Sequence, residues 1–187
     1  MWLLLLAGCK TDYQHLPAFS KQKQLQMVVL TPAGSNHPQV YNTKQKEFVP
    51  VREAGLPKQI KFLPYPGNYG FIPSTLFKSN DAPEGKPLEV LLLAESVATG
   101  SVQEVIPIGT LLLEIAGAVN NIILAVPARP SEQVVPATDF ESFTKDYPAA
   151  KQIIQQWFMH HQANQQIVFK GWKDEKYTEQ LIRRWML

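Results

Sequence analysis

In E-G-K-P-L-E-V, residues 84–90, two carboxylates stand five residues apart with a lysine between them. Glu84 and Glu89 are hard oxygen donors of the type that holds a hard cation. Two carboxylates about 5 Å apart repel by ~3 kcal/mol at an effective dielectric near 20. Either a bound cation or the ammonium of Lys86 relieves that repulsion. The ammonium does so without offering an open coordination position or an activated water. The stretch therefore reads either as an acidic metal site or as a metal site filled in by a lysine. A third reading is solvated residues at the edge between the loop K-S-N-D-A-P and the strand V-L-L-L. Two neighbouring carboxylates favour charged Lys86, which argues against a Schiff-base or general-base lysine.

Other chemistry-bearing residues are sparse. His160 and His161 are adjacent, and adjacent residues on a helix point apart, so they do not chelate one metal together. Ser101 and Ser142 have no nucleophile partners in sequence, and there is no nucleotide-binding loop, zinc spacing or nucleophile elbow. Trp157, Phe158, Trp172 and Trp185 read as packing aromatics.

The elements that must position these residues follow from pattern. Strands are predicted at 26–31, 38–42, 46–51, 59–65, 68–73, 87–93, 103–108, 109–115 and 121–127, with turn signals every eight to twelve residues. Such spacing predicts a small barrel or sandwich. The period then changes. Ala150, Ile153, Ile154, Trp157, Phe158 and His161 recur at three and four, an amphipathic helix with Pro148 in its first turn. Residues 166–172 form a last extended segment. A second helix follows, with Tyr177, Leu181 and Trp185 on one face, acids at its start and Arg183 and Arg184 at its end, as the helix dipole favours. The class is α+β.

The 187 residues suffice for one domain with a real core,. A net charge of +2, with no basic run longer than Arg183-Arg184, is too small and too scattered to argue for nucleic acid,. The lone Cys9 excludes an internal disulfide,. It ends W-L-L-L-L-A-G-C, too short to span a bilayer but resembling the bacterial lipobox, in which the cysteine carries lipid. The chain then divides into a signal at 1–9, a polar tether at 10–25 and a domain at 26–187. That organisation predicts a lipid-anchored protein of the bacterial cell envelope; a buried N-terminal strand, with the protein in the cytoplasm, is the alternative.

Five signals occur in a fixed order: N-Y-G-F-I-P (68–73), E-G-K-P-L-E-V (84–90), I-G-T-L (108–111), A-V-P (125–127) and G-W (171–172). Together they resemble the family I soluble inorganic pyrophosphatases, over roughly residues 26–186. The resemblance implies an OB-like five-stranded β-barrel flanked by two C-terminal helices, and Mg²⁺-dependent hydrolysis of pyrophosphate to two phosphates. It implies a metal role for Glu84 and Glu89, with Glu114 as a shifted substitute for an acid that falls on Ile115. It places Lys86 at the family's general-base position, where a lysine is inactivating. Tyr69 and Arg52 match phosphate-holding positions. Elsewhere the family's functional residues align with Leu30, Val40, Asn120, His161 and Gln162, none of which keeps the family's residue type. Two functions follow. One is a weak or inactive binding or scaffold module with a protein partner, anchored to a membrane. The other is a working diphosphatase that uses a reduced site of Glu84, Glu89 and Glu114, with pyrophosphate or phosphate as ligand. A homo-oligomer fits the resemblance as well.

Overall fold

The computed structural model describes residues 10–79, 82–162 and 165–187. The lipobox reading at Cys9 lies outside the described residues.

In chain order the elements begin with β1 (Leu25–Thr31), the hairpin of β2 (Gln39–Asn42) and β3 (Glu47–Pro50), and the two-residue strands β4 (Arg52–Glu53) and β5 (Leu56–Pro57). Four long strands follow: β6 (Asn68–Ser79), β7 (Ala82–Leu92), β8 (Val102–Ile115) and β9 (Ala118–Pro127). The helices α1 (Phe140–Asp146) and α2 (Pro148–His160), the strand β10 (Ile167–Lys173) and the helix α3 (Glu175–Trp185) complete the chain.

Strand β1 pairs antiparallel with both β6 and β8. β6 pairs with β7, β7 runs parallel to β9, and β9 returns antiparallel along β8. The ring β1-β6-β7-β9-β8 therefore closes on itself, which removes its sheet edges. This is the five-stranded barrel expected from the resemblance. β10 adds to the far half of β8.

Alternation along the strands sorts side chains into two cores. Met27, Ile72, Val90, Val105 and Ile123, one from each barrel strand, belong to one buried cluster, which Leu181 and Ile182 of α3 join. On the opposite face, Leu91, Leu111 and Leu124 pack with Ile154, Trp157 and Phe158 of α2. Two covered faces explain why V-L-L-L and I-I-L-A-V are apolar without alternation. Gly70 belongs to this tight ring: a Cβ there would lie 2.0 Å from the Val28 carbonyl oxygen.

Several elements differ from the sequence expectation. Residues 59–65 form no strand; they run as a loop whose Ile60 and Tyr65 are buried against α2. The two strands predicted at 103–115 are one, broken in register between Pro107 and Gly109. Helix α1 was not predicted; Asp139 caps it by accepting from the Ser142 N–H. Ile153 is 59% exposed rather than on the buried face of α2. The segment expected as a free tether packs on the body: Tyr13 stacks edge-on against Tyr41 and Phe48, and Ala18 is buried. Most relevant here, Glu84 to Lys86 lie within β7 rather than in a loop. Gly85 permits this, with φ of +90° and Leu76 side-chain carbon 2.6 Å from where a Cβ would stand,.

Candidate functional site

Three barrel strands bring four polar side chains together. β6 carries Tyr69, β7 carries Lys86 and Glu89, and β9 carries Asn120. In the register, Glu89 stands opposite Phe71 on one side and Ile122 on the other. Tyr69, Glu89 and Asn120 therefore project from the same outer face.

Glu89 is the hub. Its Oε1 accepts a 2.6 Å hydrogen bond from the Tyr69 hydroxyl, and its Oε2 accepts from Lys86 Nζ at 3.0 Å. Lys86 also donates to Asn120 Oδ1 at 2.8 Å. The Tyr69 hydroxyl is held well above its ordinary pKa, first by burial, then by the Glu89 charge, by Tyr65 and by the bond to Glu89. Tyr65 is raised as well, by burial first and Glu89 second. Both phenols stay protonated, and Tyr69 donates to the carboxylate.

An aromatic file leads away from Glu89. Ring centroids are 5.3 Å apart for Tyr69 and Tyr65, 4.5 Å for Tyr65 and Trp157, and 4.4 Å for the stacked pair Trp157 and His161. Trp157 is fixed by donating its Nε1–H to the Leu63 carbonyl. His161 lines a polar cavity of about 370 Å³ with Lys58, Lys61 and His160. Burial lowers the His161 pKa; bonds to the Phe158 and Trp157 carbonyls oppose this, and the Lys58 charge reinforces it. Lys58 and Lys61 were missed in the sequence. The two lysines of K-Q-I-K were the signal, but the segment read as a strand.

The other expected site residues are not in the cluster. Glu84 is exposed, and neither bond of Lys86 goes to it. The expected bridge between two carboxylates is a bridge between a carboxylate and an amide. Arg52 donates to the Gly55 carbonyl within its own small hairpin at 2.7 Å. Glu114 pairs with Lys170 at 3.0 Å. Its register explains why it is absent from the site. Leu113 stands opposite Asn120 and Glu114 opposite Val119, so Glu114 and Asn120 point to opposite faces,. Among the described residues no three His, Cys, Asp or Glu side chains converge. Mg²⁺ takes several oxygen ligands in near-octahedral array. This cluster offers one carboxylate, already bonded to a phenol and to an ammonium that repels a cation. These residues do not fit the metal.

Against this geometry stands the family comparison. Residues 27–187 match the family model described as inorganic pyrophosphatase. The chain belongs to the inorganic pyrophosphatase family. An inorganic pyrophosphatase of Mesorhizobium japonicum is 30% identical over 122 residues, covering 63% of this chain and 65% of that protein. One from Aeropyrum pernix is 31% identical over 144 residues, 71% of this chain and 76% of that protein. The alignment with the first of these relatives thus spans slightly less than two thirds of its length. The crystal structure of inorganic pyrophosphatase from Thermus thermophilus superposes with a TM-score of 0.78 at 26% identity, covering 92% of this chain and 95% of that one. The pyrophosphatase barrel is therefore shared over nearly its whole extent. Lys86, Glu89 and Asn120 sit in it as a bonded trio.

Proposed function

We propose that this member of the inorganic pyrophosphatase family hydrolyses pyrophosphate weakly or not at all, and that its barrel serves as a binding module held at the bacterial cell envelope through Cys9. The observation that carries the reading is the placement of Lys86. Its ammonium is bonded to Glu89 at 3.0 Å and to Asn120 at 2.8 Å, on the E-G-K-P-L-E-V stretch that resembles the family's acidic loop. A fixed positive charge there meets the local need for a counter-charge without activating water. Glu114, the acid on which a reduced metal site depends, is on the other face. A protein partner and further copies of the chain are the candidate partners, with pyrophosphate or phosphate as ligand only if the site is active.

The test is phosphate release from pyrophosphate by the purified protein, with Mg²⁺ and then Mn²⁺, beside Lys86→Asp and Glu89→Ala. The expected result is no release above background in any of the three. Wild-type turnover that Glu89→Ala abolishes overturns the reading. It would establish the second reading, a working diphosphatase, which the names of the relatives and the retained Tyr69–Glu89 bond favour. The anchor is tested separately by fatty-acid labelling in bacterial cells, expected in the wild type and lost in Cys9→Ser.

A further inference from the structure

Beside the cluster, between the N-terminal segment, β2, β6 and β7, lies a cavity of about 250 Å³. Leu30, Val40, Tyr41 and Phe71 form its apolar wall, and Gln14, Lys86 and Glu89 its polar wall. Tyr41 presents its ring, because its hydroxyl is spent elsewhere: it donates to the Thr11 carbonyl and accepts from the Tyr13 N–H. The Tyr41 and Phe71 rings lie near-parallel, 28° apart with centroids at 6.5 Å. Val40 is 43% exposed, so the cavity opens to solvent beside it.

The polar wall has unused capacity of a particular kind. Lys86 uses two of its three N–H donors among the described residues,. Among the described residues each Glu89 oxygen takes one bond, from Tyr69 or from Lys86, and keeps a lone pair,. One donor and one acceptor therefore stand side by side, and the pair carries no net charge. A multiply charged anion entering here leaves its hydration for apolar side chains and meets the Glu89 carboxylate, which is unfavourable. A free ammonium ligand meets Lys86. A neutral group that presents an acceptor and an N–H on the same edge satisfies Lys86 and Glu89 at once.

We propose that this cavity binds a small neutral molecule with a planar apolar body and a primary carboxamide, its carbonyl accepting from Lys86 and its N–H donating to Glu89. The proposal deepens the binding-module reading and rests on it, since it needs Lys86 to stay on Glu89. The cavity is below the usual ~300–1,000 Å³ range for drug-sized ligands, so the occupant is fragment-sized. Planar bodies suit the two rings.

The probe is benzamide, titrated into the full chain and followed by NMR shifts of residues at the cavity. A dissociation constant of about 1 mM is expected for so small a ligand. N,N-dimethylbenzamide lacks the N–H donors, and benzoate places a second anion against Glu89. Each is expected to bind at least about tenfold weaker, the loss of one charge-assisted hydrogen bond. Val40→Trp fills the cavity and should abolish the benzamide shifts. The ligand series needs no variant, so it decides the matter if Val40→Trp does not fold. Equal binding of the three ligands, shifts that lie elsewhere, or no binding at about 10 mM overturns the proposal. Phosphate release with benzamide binding intact would sink the weak-hydrolase reading alone. Absence of both would sink the carboxamide site alone.

Discussion

The protein holds two lysine–carboxylate pairs of the same length, Lys86–Glu89 and Lys170–Glu114, each closed at 3.0 Å. They are different objects. The first joins two residues of one strand and ties that strand to β6 through Tyr69 and to β9 through Asn120. Its side chains are 30% and 25% exposed. The second crosses from β10 to β8, with side chains 46% and 33% exposed and no further side-chain bond among the described residues. A charge pair does not by itself make a site. Additional polar partners do, because each one adds a group that is left unsatisfied when the hub is removed.

The largest expected difference is at the hubs. Glu89→Ala takes the acceptor from both Lys86 and Tyr69. The Tyr69 hydroxyl loses its partner in an enclosed place, and the ammonium keeps only Asn120. We expect a loss of about 2–3 kcal/mol, the cost of an unsatisfied enclosed donor plus a weakened charge, reduced somewhat because Lys86 reaches solvent. Urea unfolding of Glu89→Ala and Glu114→Ala side by side measures it. Equal destabilisation of the two variants would break the comparison.

A smaller effect isolates the phenol. Tyr69→Phe deletes one hydrogen bond to a charged acceptor and leaves Lys86–Glu89 in place, so about 1–2 kcal/mol is expected. Its pH dependence sharpens the assignment. The folded-state pKa of Tyr69 is raised above 10.0. Above that value the unfolded chain has lost the proton while the folded chain keeps it. The unfolded state then binds fewer protons, so stability falls as pH rises through the alkaline range. Unfolding midpoints at about pH 8 and about pH 11 should show a smaller alkaline loss in Tyr69→Phe than in wild type. Tyr65 remains to supply the rest, since it is raised too. An unchanged alkaline loss would place the titration outside this cluster.

What was legible in the sequence divides along the same line. The barrel strands and the two long helices were readable because period and turn residues are local. Glu89 and Lys86 were readable as a pair because only Pro87 and Leu88 lie between them in the chain. Asn120 as the second partner of Lys86 was not readable, because it lies 34 positions along the chain and the contact depends on the parallel pairing of β7 with β9. Glu114 was misjudged for want of one bit of information. A shift of one residue along a strand changes the face, and the register that puts Leu113 rather than Glu114 opposite Asn120 is set by the barrel. Residues 59–65 looked like a strand because Ile60 and Tyr65 are apolar; they are buried by packing against α2 from a loop that holds Pro64 and Pro66. Helix α1 has seven residues, too few to establish a helical period,.

The smallest effect is predicted where the second pair stands alone. Glu114→Gln keeps the size of the side chain and removes its charge, leaving Lys170 nearly half exposed to water. An exposed pair gains little Coulomb energy in high dielectric, loses side-chain freedom and is screened by salt, so its contribution is about 0–1 kcal/mol. The expected change in the urea midpoint is within about 0.5 kcal/mol, shrinking further as salt is raised above the ionic strength at which the Debye length is about 10 Å. Glu89→Gln supplies the contrast. It too removes only a charge, but the ammonium of Lys86 then faces two neutral amide groups, and the Tyr69 hydroxyl donates to a weaker acceptor. Its cost should exceed that of Glu114→Gln and should persist in salt, because half-buried pairs are screened less than exposed ones. If instead Glu114→Gln costs as much as Glu89→Gln and is equally insensitive to salt, then Lys170–Glu114 is a structural tie of β10 to the barrel, and partner number is the wrong criterion for telling a site from a strap.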